Sequence, residues 1–133
     1  MIVQVAVAII RDGAGRILIG RRPNRPGDSC AGLWEFPGGK LEAGESEVQC
    51  LVRECWEEVA LQIKVGQRYE TVQHTYPERT VRVSFWLATA EDGEPKTKVH
   101  TELRWVRQAD LGRYAFCPAN AEVIVRLQAE DLA

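Results

Sequence analysis

Residues 46–59 constrain the fold more than any other stretch of this chain. Apolar side chains recur at Val48, Leu51, Val52, Cys55 and Val59, and Glu54, Glu57 and Glu58 crowd between them. Wound as a helix, the five apolar residues fall within about 100° of arc, the width of a core-facing stripe. The three glutamates fall on the opposite side, where Glu47 joins them. Ser46 followed by Gln49 reads as a capping box at the helix start. A helix with one apolar stripe has to lay it on another layer of structure.

The flanking segments supply that layer, because they read as strands. Residues 2–10 are rich in Val and Ile and predict a buried strand. Two glycines mark a turn over 11–16, and 17–22 predicts a second strand, so a hairpin is expected. Residues 23–32 read as a loop and 33–36 as a short extended piece. One or two strands are expected over 62–76, a turn over 77–80, and further strands over 81–90 and 103–107. Residues 91–98 are a polar loop, and 118–132 read as a C-terminal helix. No internal repeat or linker interrupts the order. The reading is one domain over residues 1–133, of the α/β (α+β) class, with mixed strands layered against helices.

The charge balance narrows the function classes. Lys and Arg number 17 against 19 Asp and Glu, a formal net charge of -2. That excludes the broad basic surface of a protein that binds polymeric nucleic acid. A mononucleotide needs only a local cluster of arginines. The apolar start of the chain is too short to cross a membrane and lacks the basic start and small-residue cleavage site of a signal peptide, so cytoplasm is the expected location. Cys30, Cys50, Cys55 and Cys117 form no C-x-x-C pair, which argues against a zinc site and a disulfide framework. They read as buried, reduced packing residues, with Cys117 set apart because it adjoins a candidate site.

The acids themselves point to chemistry. Like charges at helical spacing repel by a few tenths of a kcal/mol, roughly, per pair. Within the helix only Arg53 offsets them. The helix follows Pro37-Gly38-Gly39, a tight loop whose backbone can approach a ligand or turn a carbonyl toward a metal. Carboxylates with a carbonyl make a hard oxygen site of the kind Mg²⁺ favours, shared with phosphate oxygens.

Gly39, Glu45 and the run Arg53-Glu54-Cys55-Trp56-Glu57-Glu58-Val59-Ala60-Leu61 resemble the Nudix box. That pattern is Gly, x5, Glu, x7, Arg-Glu-U-x-Glu-Glu-x-Gly-U, with U a bulky aliphatic. Ala60 stands where the family has glycine, and Cys55 where a larger aliphatic is usual. The strand at 5–10, Arg21-Arg22, the run 33–40, the run 76–79 and the run 117–120 are similar in order to the MutT-type branch. The resemblance implies the Nudix α/β/α sandwich with a mixed β-sheet. It implies Glu54, Glu57, Glu58 and the Gly38 carbonyl as metal ligands, with Arg53 orienting the acids. Mg²⁺ is the implied cofactor, with Mn²⁺ as the alternative ion.

The same resemblance implies hydrolysis of a nucleoside triphosphate to a monophosphate and pyrophosphate, with 8-oxo-dGTP as the lead substrate. Pyrimidine triphosphates such as CTP or 5-methyl-dCTP stand as the alternative, and a nucleotide-binding domain with little catalysis as a third reading. Glu54 is the first candidate for the general base and Glu45 the second; Glu45 otherwise favours the positive helix N-terminus. The family often carries Glu-His before the strand at 103–107, where this chain has Val99-His100. A strand extending that far puts Glu102 on the His100 face.

Arg22 and Arg79 match positions that contact phosphate or sugar, and the competing role is a solvated surface arginine. Tyr76 matches an aromatic near sugar and base, against ordinary strand packing. Phe36 either stacks on the base or anchors its loop, and Lys40 completes the substrate-binding set. Asn120 matches an asparagine that reads the purine edge; its competing role is a helix N-cap. Trp34, Trp56, Trp86 and Trp105 are expected in the core. Monomer and homodimer both remain open.

Overall fold

The computed structural model describes residues 1–90 and 93–130. Its centre is a seven-stranded sheet. Strand β1 (Ile2–Arg11) runs parallel to β6 (Thr80–Ala90), in register from Ile2 opposite Thr80 to Arg11 opposite Thr89. The other pairings between these strands are antiparallel: β1 with β2 (Ile17–Arg21) and β4 (Gly38–Lys40), β2 with β3 (Trp34–Glu35) and β7 (Glu102–Val106), and β5 (Ile63–Thr75) with β6. The sheet is therefore mixed, as expected. β5 is one strand rather than two, with register shifts between Val65 and Glu70 where Gly66 lies.

Alternation along the strands divides the core into two layers. Ile9, Ile17, Ile19, Val81, Val83 and Phe85 pack on one face with helix α2 (Ala121–Ala129). Ala6, Ala8, Ile10, Leu18 and Ala88 pack on the other with helix α1 (Glu47–Val59). Small alanines in β1 under α1 let the helix sit close to the sheet. The result is the α/β/α layering expected from the sequence. Among the described residues, no helix is long and apolar enough to cross a membrane.

Helix α1 begins as its sequence dictates: the Ser46 side chain accepts from the Gln49 N–H, and the Gln49 side chain accepts from the Ser46 N–H. It ends at Ala60 in the left-handed conformation (φ 58°, ψ 34°). The face it buries overlaps the expected one only in part. Cys50, Leu51, Cys55 and Val59 are buried, whereas Val48 and Val52 are exposed, and so is Trp56 at 53%. The helix is rotated so that Glu54 and Glu58 turn toward the sheet and the valines toward solvent. Glu47 also leaves the acidic group: it accepts from the Trp86 indole N–H at 2.8 Å and pairs with Arg68. Trp34 is buried as expected, and Trp86 and Trp105 are half-buried.

Two further expectations are corrected. Cys30 and Cys117, separated by 87 positions, form a disulfide; Cys50 and Cys55 alone match the buried reduced reading. Spacing did not show the pair because sheet topology creates the contact. The C-terminal helix does not start at Pro118: residues Pro118–Asn120 form a 3-10 turn, and α2 follows. The last two positions expected in that helix, 131 and 132, lie outside the described residues.

Candidate active site

Helix α1 meets strand β4 where β4 has no side chains. A β-carbon on Gly38 would stand 2.2 Å from the Ala6 carbonyl oxygen, and one on Gly39 would stand 2.5 Å from the Glu54 carboxylate. The two glycines thus press β4 onto β1 and admit Glu54 between helix and strand. The Glu54 side chain is 16% exposed. Glu58 faces the same interior and its carboxylate contacts the Gly38 N–H at 3.4 Å.

Arg53 organises this end of the site. Its Nε and Nη2 donate to the two Glu45 oxygens at 2.7 and 2.9 Å, and its Nη1 donates to Glu54 at 2.7 Å and Glu57 at 3.2 Å. The Arg53 side chain, with help from the Glu42 N–H, holds Glu45 down to about 2. Glu45 is thereby an anchor for the guanidinium, and its geometry does not suit a general base. Glu54 keeps Oε2 outside the Arg53 contact. Burial pushes Glu58 up to about 8, and the neighbouring Glu35 and Glu54 charges add to the rise.

Among the described residues no three acidic, histidine or cysteine side chains close on one point. What suits a divalent cation here is the charge: Glu58 is crowded by two carboxylates with hard oxygens, a condition a cation relieves. Glu57 stands on the outer side, 56% exposed.

A cavity of about 340 Å³ leads away from this end. Gly38, Gly39, Lys40 and Glu58 line it, together with Tyr76, Arg79, Cys117, Ala119 and Asn120. Arg22 also lines it, held by Asp28 at 2.6 Å and Glu35 at 3.0 Å. Glu35 accepts a further bond from buried His100 Nε2 at 2.9 Å. His100 fits there because Gly20 has no side chain: a β-carbon would stand 2.6 Å from the ring.

The NUDIX domain family covers residues 6–126. The chain belongs to the Nudix family. It is 40% identical over 126 residues to an 8-oxo-dGTP diphosphatase of Haemophilus influenzae, covering 95% of this chain and 91% of that protein. It is 35% identical over 124 residues to a CTP pyrophosphohydrolase of Escherichia coli, covering 93% of this chain and 89% of that protein. A MutT protein of Methanosarcina mazei has the same fold, with a TM-score of 0.87, 25% identity, and 99% and 96% of the two chains covered.

The candidate residues of this Nudix hydrolase fall into two groups, with Glu45 joined to the first through Arg53. Arg53, Glu54, Glu58 and Gly38 meet at the junction of α1 and β4, and Glu57 is tied to it from the outer side through Arg53. Arg22, Lys40, Tyr76, Arg79 and Asn120 line the same cavity. Phe36 lines it too but is 1% exposed, its ring held edge-on by Phe85 and tilted against Phe116. Anchoring, rather than stacking on a base, is the role its surroundings allow. Asn120 precedes α2, yet its side chain makes no cap; Nδ2 donates instead to the Cys117 carbonyl at 2.8 Å. Glu102 pairs with Arg104 and is not a lining residue of the cavity, and β7 begins too late for strand alternation to link it to His100.

Glu35, Asp28 and Cys30 were not legible as site residues. A signal for Glu35 existed: it is a lone acid between Trp34 and Phe36, both buried. Asp28 and Cys30 sit in a loop whose closure onto the cavity no local pattern encodes.

Proposed function

We propose that residues 1–133 form one catalytic domain that hydrolyses a nucleoside triphosphate to a monophosphate and pyrophosphate, with 8-oxo-dGTP as the substrate class it fits best. One observation carries the reading: a single cavity is lined both by Glu58, which the Glu35 and Glu54 carboxylates crowd, and by the buried Asn120. Acids that hold a divalent ion suit the phosphates, and an oriented amide suits a base edge. The cavity size suits a free mononucleotide and not a polymer.

Glu54, Glu57, Glu58 and the Gly38 carbonyl would hold Mg²⁺, or Mn²⁺ in its place. Bound there, the ion supplies charge neutralisation for the phosphate oxygens and acidifies a water. Arg53 fixes Oε1 of Glu54 and so orients this carboxylate, the first candidate to take a proton from the attacking water. Lys40, Arg22 and Arg79 line the path with positive charge for phosphate and sugar. Asn120 Nδ2 donates to the Cys117 carbonyl, so Oδ1 is the atom the amide would offer a ligand. An acceptor there favours a purine with N–H at position 7, as in 8-oxoguanine, over guanine, whose N7 is itself an acceptor.

A second reading has its own observation. The chain is also similar to a CTP pyrophosphohydrolase over nearly its whole length. Pyrophosphate release should therefore be measured with Mg²⁺ on 8-oxo-dGTP, dGTP, CTP and 5-methyl-dCTP. The expected result is the highest kcat/KM on 8-oxo-dGTP. A value no better than that for CTP overturns the lead substrate, and no release from any of them overturns the catalytic reading. Glu57→Gln is expected to lose about a hundredfold or more in kcat while folding normally.

A further inference from the structure

Tyr76 does something that an aromatic packed beside a sugar does not require. Its backbone is seated by two bonds across the β5–β6 turn, Tyr76 N–H to the Arg79 carbonyl at 2.7 Å and Arg79 N–H to the Tyr76 carbonyl at 3.2 Å. Its ring rests against His74, with centroids 4.5 Å apart. From that fixed base the phenol Oη accepts the Ala119 N–H at 2.9 Å and lies 2.9 Å from Cys117 Sγ.

Ala119 is the middle residue of the 3-10 turn that carries Asn120. The first N–H groups of any helical turn lack partners within it, and Pro118 has none to offer. Ala119 is buried, at 6% exposure, so its N–H depends on a protein partner, and the Tyr76 phenol is that partner. The Cys117 carbonyl at the same turn takes both the Asn120 N–H, at 3.0 Å, and the Asn120 side-chain amide, at 2.8 Å. Tyr76 and Cys117 therefore hold the turn from its two sides. A tilt of the turn would rotate the Asn120 amide away from a bound base.

We infer that Tyr76 is a positioning residue, whose hydroxyl locks the Pro118–Asn120 turn and so sets the placement of the Asn120 amide against the base. The inference rests on Asn120 reading the base, as proposed above.

Tyr76→Phe removes only the hydroxyl. It should be compared with Asn120→Ala and with the double variant, measuring kcat and KM on the triphosphate that the wild type turns over best. For Tyr76→Phe, KM rises roughly tenfold, the scale expected when a buried N–H loses its partner, and kcat stays within about twofold. The double variant resembles Asn120→Ala alone, because the hydroxyl acts through that amide. Two results overturn the inference while leaving base reading by Asn120 intact: an unchanged KM in Tyr76→Phe, even with a lower Tm, or a double variant whose loss is the product of the single losses. If Asn120→Ala itself keeps wild-type KM and selectivity, base reading by Asn120 falls and the inference falls with it.

Discussion

The Glu54 carboxylate occupies the space that a β-carbon on Gly39 would need, 2.5 Å from where that carbon would stand. The glycine and the glutamate are 15 positions apart in sequence (54 − 39) and form one packing unit. Gly39→Ala is therefore expected to push Glu54 out of its place. Overpacking of this kind costs roughly 1–3 kcal/mol. We expect a folded protein with kcat lowered about a hundredfold, since a small misplacement of a reacting group has that effect. Circular dichroism alongside pyrophosphate release checks it; wild-type turnover would show that Glu54 need not sit there.

Glu58 is expected to make the stability of the metal-free protein depend on pH. Burial, with the Glu35 and Glu54 charges, raises its carboxyl from 4.5 to about 8. The folded state then binds the proton more tightly than the unfolded chain, so this stabilisation is complete below about pH 4.5 and is lost as pH rises toward about 8. In a chelator, stability should fall between pH 5 and 8, about one unit around those limits. Glu58→Gln should flatten the slope, and added Mg²⁺ should restore stability at the upper end by binding the native state. Denaturant titrations at several pH values measure this. A slope that Glu58→Gln leaves unchanged would assign it to another group.

Ala60 ends α1 in the left-handed region, at φ 58°. A β-carbon there costs roughly 1–2 kcal/mol, and glycine avoids that cost while adding some freedom to the unfolded chain. Ala60→Gly is expected to stabilise the protein by about 0.5–1 kcal/mol, with activity unchanged. Thermal unfolding checks the sign; a lower Tm would mean the Ala60 methyl contributes packing that outweighs its strain.

The bond between Cys30 and Cys117 can be counted directly. Thiol titration of the denatured, unreduced protein should find two free groups, Cys50 and Cys55, and four after reduction. Closing a loop of this length stabilises a domain by roughly 2–4 kcal/mol, so Cys117→Ser should lower Tm under non-reducing conditions. Four thiols before reduction would refute the pairing. Neither Cys50 nor Cys55 should react quickly in the native state, because burial and nearby glutamates raise both thiols.

Much of the site was legible because the Nudix box is local. Ser46 with Gln49 caps the helix, the spacing of Arg53 from Glu45, Glu54 and Glu57 permits their ion pairs, and the glycines before α1 mark a close approach. These relationships lie within some twenty residues, and the cap and the Arg53–Glu57 pair follow from helical geometry. The strand order of alternating apolar residues likewise announced a layered fold.

What the sequence by itself determined was therefore the angular arrangement of residues around α1, along with its caps and the chemistry of its acids. It did not determine which side of that helix faces the sheet. The apolar stripe of Val48 and Val52 argued for one rotation; the structure adopts another, in which Glu54 and Glu58 turn inward and the valines face water. A helix sets relative positions through its own backbone bonds, but its rotation depends on the surface it meets. Here that surface is β4, whose glycines leave room for carboxylates. Likewise, only the pairing of β5 and β6 with the rest of the sheet brings Tyr76 to Ala119. The chain's fold also brings Cys30 to Cys117, because contacts across 87 positions depend on topology and not on local preference.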